Sequence, residues 1–447
     1  MPKYQSALQH YVAARIFIFP EDDSSEPRNQ ARIVRTGGDT IEGFVEVTIF
    51  GNLDIQASIA FTGVSRIWIE SDAGSNTPQA PLTTVEHKFL TEKYDSPGCQ
   101  TQIKGPFTTQ RYPFHFAVPE ELVSPFGDVN PLYLKIPPTA KLGPTYYRSS
   151  DGKTFMQPLI VYQLKTTLTS SSNEPYAAGS TLWAQREVEI LPLSSMEPPL
   201  PVADYPGEFK MRARTNVYNS FLQRPRGVIQ VSTEEPRSLD VSTSAPKAST
   251  KLFIGLSFDA NASIVLTNQP YEWECEVQTT LQSKMFYSAA KMERNATMLD
   301  ASRKTNLSVR VEEVGSEVRQ LTSLDWAQAD VSSDGTTKAD KATLAWTTLL
   351  CIPVSAHKAV LPTFATEIAA RRYSIVVQVR FKGVRHGRLM LDVPVQVTRK
   401  FVRGRYSGAM QSVEEVDALE IGTEYLDVDE TEEEAIAKLP PPYSETE

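Results

Sequence analysis

The sequence predicts an all-β fold: two antiparallel β-sandwich domains joined by a Pro-rich linker and followed by a disordered acidic tail. Three observations lead there. Apolar residues recur with period two along most of the chain, 31 prolines outnumber 22 glycines, and the acidic charge is gathered in one segment. Alternation at period two marks strands with one buried and one solvated face, and frequent proline suits turns and sheet edges better than long helices.

The strands follow in order. Residues 41–49 (Ile-Glu-Gly-Phe-Val-Glu-Val-Thr-Ile) and 55–61 (Ile-Gln-Ala-Ser-Ile-Ala-Phe) alternate cleanly, and 66–69 continues after a turn placed at Gly63. Further strands are predicted at 112–118, 159–169, 186–191, 227–232, 251–258, 272–281, 305–313, 343–352, 373–381 and 389–397. No repeating helix separates them, so the sheets should be antiparallel rather than parallel α/β. Residues 282–303 have a helix-friendly composition without a firm cap and read as a loop or short helix. Residues 71–91, 169–180 and 316–340 are rich in polar and turn-forming residues and read as surface insertions.

Residues 192–206 hold five prolines, which forbid a central strand and favour an extended connector. The predicted organisation is therefore a sandwich over 1–191, the linker over 192–206, a second sandwich over 207–400 and the tail over 401–447. From 411 to 447 there are 13 Asp and Glu against one Lys, a net charge of −12 in a chain whose total is −9. The first 410 residues are thus near neutral at +3, which argues against a nucleic-acid binder. Residues 1–14 carry Lys3 and His10 and no apolar run, so no secretory leader is expected. The longest uncharged stretch, 342–356, is too short to span a bilayer. Three scattered cysteines suit a reducing compartment, with Cys275 and Cys351 expected as small buried side chains.

Catalytic patterns are missing. There is no G-x-S-x-G elbow, P-loop, H-E-x-x-H or C-x-x-C, and the five histidines lack metal-ligand spacing. His115, between Phe114 and Phe116, should face solvent. No enzyme activity, cofactor or metal is expected. The sharpest signal is Leu439-Pro440-Pro441-Pro442-Tyr443-Ser444-Glu445, which contains P-P-x-Y with Pro440, Pro441 and Tyr443 as its fixed positions. Consecutive prolines pre-form a polyproline II helix, so little entropy is lost on docking into an aromatic groove, and the tyrosine fills a second pocket, as in WW-domain ligands. Composition alone supplies the pattern about 0.08 times per chain of this length. A weaker signal is the basic cluster Arg399, Lys400, Arg403 and Arg405, suited to an anionic surface. Its plainer reading is a solvated exit from the fold that pairs with the acidic tail.

Several segments together resemble the α-arrestins, the arrestin-related trafficking adaptors of fungi. They are Gly38-Asp-Thr-Ile-Glu-Gly43-Phe-Val45, then 55–63, then Tyr112-Pro-Phe-His-Phe-Ala-Val-Pro119, which is similar to the family's "fPFxFxlP" strand. Residues 160–168 are similar to its "Y-x-L-x-A-x-L" strand, and 361–366, 373–379 and 391–397 to the last strands of its second domain. The resemblance implies two arrestin-type sandwiches. It also implies a cytoplasmic adaptor, peripherally recruited to the plasma membrane or endosomes. Such a protein binds cytosolic tails of transporters or receptors and recruits a HECT-type ubiquitin ligase through WW domains, so that cargo is ubiquitylated and endocytosed. Only Pro440, Pro441 and Tyr443 carry over as functional residues. One PY motif where relatives often have several removes avidity within one chain. The alternative is an arrestin-fold scaffold in sorting or pH and nutrient signalling without ligase recruitment.

Overall fold

In the computed structural model, the described residues are 12–19, 34–50, 55–70, 82–96, 98–123, 131–141, 146–147, 154–155, 158–170, 182–193, 198–218, 224–241, 248–260, 270, 273–292, 294–304, 306–329 and 344–400. Strands account for 66% of the described residues, and among these no helix reaches seven residues, so the described fold is all-β. In chain order the main elements are β1 (Val12–Ile18), β2 (Thr40–Phe50), β3 (Ile55–Glu70), β4 (Leu82–Asp95), β5 (Gln100–Lys104), β6 (Phe107–Ala117), β7 (Leu159–Ser170) and β8 (Leu182–Ile190). Then come β9 (Arg212–Tyr218), β10 (Gly227–Thr233), β11 (Ser249–Ala260), β12 (Cys275–Ser288), α1 (Met298–Arg303), β13 (Leu307–Leu321), β14 (Leu344–Ser355), β15 (Ala369–Phe381) and β16 (Leu389–Val395).

Four sheets carry these strands. Sheet I runs β1-β2-β6-β5, and sheet II runs β8-β7-β3-β4 with the two-residue strand Val34–Arg35 added in parallel on β8. Sheet III runs β14-β11-β10-β9, and sheet IV runs β13-β12-β15 with β16 also on β15. Among the described residues no sheet mixes strands from before 191 with strands from after 211. Sheets I and II face each other across a core that includes Ile41, Val45, Val47, Ile59, Phe61 and Tyr162. Sheets III and IV do so across Ile229, Leu252, Phe258, Val277, Ile375 and Val393. The inward residues alternate with outward ones, as period two requires: β2 reads exposed, buried, exposed, buried along its start. Two of the buried phenols are satisfied in place. Tyr112 donates to Ile55 O at 2.6 Å, and Tyr162 to Pro137 O at 2.6 Å.

The two halves meet along β12 and β15. The register of β12 against β13 shifts at Leu281/Gln282. Before that bulge β12 feeds the second core through Val277 and Leu281; beyond it, Met285 joins the first core together with Phe364 and Ala369. All described residues therefore fall in a single compact unit.

Several expectations are corrected. Gly63 is not a turn. β3 runs unbroken from Ile55 to Glu70 with a bulge against β4 at Gly63/Val64. A Cβ at Gly63 would lie 2.4 Å from the Phe89 ring, so glycine admits the Phe89 ring against the backbone there. Residues 82–91, expected in a loop, belong to β4, and 316–321, expected in an insertion, belong to β13. Residues 282–288 are strand rather than loop or helix; only 298–303 is helical, started by a capping box between Thr297 and Asp300. Cys275 is buried, but Cys351 is exposed because the alternation of β14 places it beside Leu349 on the outer face. His115 is exposed, as its alternation indicates.

Candidate functional site

Of the residues singled out in the sequence, Pro440, Pro441, Tyr443, Arg403 and Arg405 lie outside the described residues. Arg399 and Lys400 are described. Arg399 is half-buried and donates through Nη1 to the carbonyl of Leu191, while Lys400 is exposed. The end of the second half is thus held against the end of the first. Parallel pairing of Val397–Thr398 with Leu239–Asp240 precedes it.

Sequence reading missed a groove on the outer face of sheet III. Arg212, Ser232, Gly255 and Leu349 are register partners in one row across β9, β10, β11 and β14. The middle of that row is small, so a trough of about 930 Å³ opens between larger neighbours. Its apolar flank is Phe253 and Leu349, which are 53% and 67% exposed on a face that alternation would make polar. Arg212, Arg237 and Lys251 line it, and none of the three makes an ion pair with a described residue. The wall formed by 233–238 is fixed from both sides. Thr233 Oγ1 donates to Phe253 O at 2.6 Å and Thr250 Oγ1 to Arg237 O at 2.7 Å. Glu235 also lines the groove and accepts the backbone N–H of Leu200. Burial raises its pKa, against the lowering effect of that bond and of Gln396. What remains is a trough with three cations, the Glu234 and Glu235 carboxylates and two exposed apolar side chains. That chemistry suits an extended chain with acidic side chains and an apolar anchor.

A second feature lies buried where 198–210 meets sheet IV. Arg372 on β15 donates to Glu208 Oε2 at 2.8 Å and to the carbonyl of Ala296. Its guanidinium sits 4.5 Å from the Tyr205 ring centroid and 4.2 Å from that of Phe286. Lys284 on β12 bonds Asp392 Oδ2 at 3.0 Å and lies 3.8 Å from Glu208 Oε1. Glu208, Lys284 and Arg372 are all buried. Burial pushes the nearby Tyr133 phenol up to about 12, with Tyr205 and Glu367 adding and Arg372 opposing. Cations held by carboxylates, carbonyls and ring faces hold the 198–210 segment against the sheet.

Among the described residues no group of three or more His, Cys, Asp or Glu is arranged to hold a metal ion, and no helix is long and apolar enough to cross a membrane. No family profile and no curated protein matches the chain.

Proposed function

We propose that the protein is an arrestin-type adaptor. It links membrane transporters or receptors to a WW-domain HECT-type ubiquitin ligase through Pro440, Pro441 and Tyr443, and so promotes cargo ubiquitylation and endocytosis. The observation that carries the reading is the P-P-x-Y motif within a segment of high negative charge. Two facing pairs of sheets on either side of the Pro-rich stretch support it. So does the position of the family-like segment 112–119, whose Tyr112, Phe114, Phe116 and Val118 are all buried in the first core. In this reading 192–206 is the linker between arrestin-type domains, and the groove on sheet III receives an acidic stretch of a cargo tail. Attraction of Arg212, Arg237 and Lys251 for carboxylates steers the encounter, and contact with Phe253 and Leu349 retains it.

The direct test is binding of a 439–447 peptide to a panel of WW domains. A single motif should bind with a Kd of about 10⁻⁶–10⁻⁴ M. Tyr443→Ala should abolish binding, because the second pocket is left empty. No binding to any WW domain removes ligase recruitment from the proposal.

The groove is tested separately in the full chain. Arg212→Glu combined with Lys251→Glu should weaken binding of an acidic, Leu-containing peptide about tenfold, and the wild-type affinity should fall with added salt. Equal affinity for wild type and variant places cargo recognition elsewhere.

A further inference from the structure

The seam between the halves holds a titratable group that the adaptor reading does not use. His87 on β4 belongs to the first half, with Nε2 3.2 Å from Glu367 Oε2 in the second half. Lys291 Nζ lies 2.7 Å from the same oxygen. Around them Ile67 and Ile368 are buried against each other, with Val85, Tyr287 and Ala289 packed on them. The turn carrying Glu367 is fixed by Met292 N–H donating to Glu367 O at 2.6 Å and Ser288 N–H to Ile368 O at 2.9 Å. The imidazole, a quarter exposed, therefore sits between two halves that meet here through side chains.

Glu367 Oε2 accepts no hydrogen bond, but its charge 3.2 Å from Nε2 favours the neutral tautomer that carries its proton on that nitrogen. Nδ1 is then a bare lone pair, buried and without a hydrogen-bond partner. A neutral lone pair tolerates that position. A protonated ring does not, because Nδ1 becomes a donor with no acceptor. Ser65, opposite His87 on β3, is fully buried, and its hydroxyl makes no hydrogen bond to the ring. Among the described residues, the other charges facing the ring are Glu367, which attracts a cation, and Lys291, which repels it and already neutralises that carboxylate. The Tyr133 phenol also feels the Glu367 charge and stays neutral. On the ring's own hairpin Glu86 is paired with Arg66, and Lys88 is exposed.

We propose that His87 makes the seam acid-sensitive: taking up a proton loosens β4 from the 366–368 turn and lets the two halves separate. Burial lowers the His87 pKa below its ordinary 6.5, ahead of the opposing pull of Glu367. The sign follows. With a lowered pKa in the closed state, the open state binds more protons below pH 6.5, so closure weakens as pH falls and levels off once the closed ring also titrates. One histidine of ordinary pKa in the open state raises the open population by at most about tenfold at pH 5.5 relative to pH 7.5.

The exposed thiols Cys99 in the first half and Cys351 in the second accept spin labels, while Cys275 is buried. Their distance distribution in the full chain should broaden towards longer separations between pH 7.5 and 5.5, and return on neutralisation. His87→Gln keeps a nitrogen near Glu367 without a titrating ring, and its distribution should stay as at pH 7.5. An equal acid response in wild type and His87→Gln overturns the proposal, as does no response in wild type. Should His87→Gln not fold, Glu367→Gln serves. It removes the group among the described residues that favours the charged ring, so the acid response should be at least as large as in wild type, and a smaller one overturns the proposal.

Discussion

Glu208→Ala should destabilise the protein by about 3–5 kcal/mol, the range for removing one partner from a buried ion pair. The carboxylate faces two cations. Arg372 is bonded to it at 2.8 Å, and Lys284 lies 3.8 Å away. Without it Lys284 keeps Asp392, but Arg372 keeps only the Ala296 carbonyl and the Tyr205 and Phe286 rings. A guanidinium in that setting retains cation–π attraction and loses its counter-charge. The loss is therefore mostly the cost of an uncompensated buried charge, and a double variant shows this. Glu208→Ala with Arg372→Met should be less destabilising than the sum of the two single changes, because the second change removes the charge that the first strands. Urea unfolding of the full chain gives all three values, provided the slope with denaturant stays constant across the set. A Glu208→Ala cost below about 1 kcal/mol means that water already compensates Arg372 and the cluster does not hold the 198–210 segment against the sheet.

How much of this was legible in the sequence depends on whether one face or both faces of a strand are buried. β2 and the strand around Phe114 were readable because one face is solvated, so the alternation is clean. β12 was readable only to Leu281. Past the bulge Ser283, Lys284, Met285 and Phe286 are all buried, one side against the second half's own segments and the other against the first half, so the alternation vanishes. β9 (Arg-Ala-Arg-Thr-Asn-Val-Tyr) buries little beyond Ala213 and Val217, and it is a strand because β10 pairs with it. The same reason hides the sites. Arg372 finds Glu208 across 164 positions of sequence, and Lys284 finds Asp392 across 108. The groove needs one row from four strands, with Ser232 and Gly255 as its small middle. A serine and a glycine in two separate strands give no signal until register aligns them. The motif at 440–443 is legible in sequence for the opposite reason, since its recognition depends on local chemistry alone.

Gly43 separates the two kinds of information in a single residue. Alternation along β2 points it inward, between Ile41 and Val45, where a larger apolar side chain would be the ordinary choice. A Cβ there would lie 2.0 Å from the carbonyl oxygen of Phe17 on β1 and 2.8 Å from the Phe114 ring. The first obstacle is backbone, and β1 is held to β2 over seven register pairs, so it cannot yield without breaking the ladder. Gly43→Ala should therefore cost about 3 kcal/mol, the upper end for overpacking by one carbon. Gly98 supplies the contrast. A Cβ at that position meets nothing within 4 Å, and its φ is not in the left-handed region. Gly98→Ala should be neutral or stabilise by up to about 1 kcal/mol, through the lower entropy of the unfolded chain. Thermal unfolding of the two variants beside wild type decides the point. Comparable midpoints for both would mean that β1 moves away from β2 at no cost. The close approach of Phe17 to Gly43 would then not be what reserves this inward position for glycine.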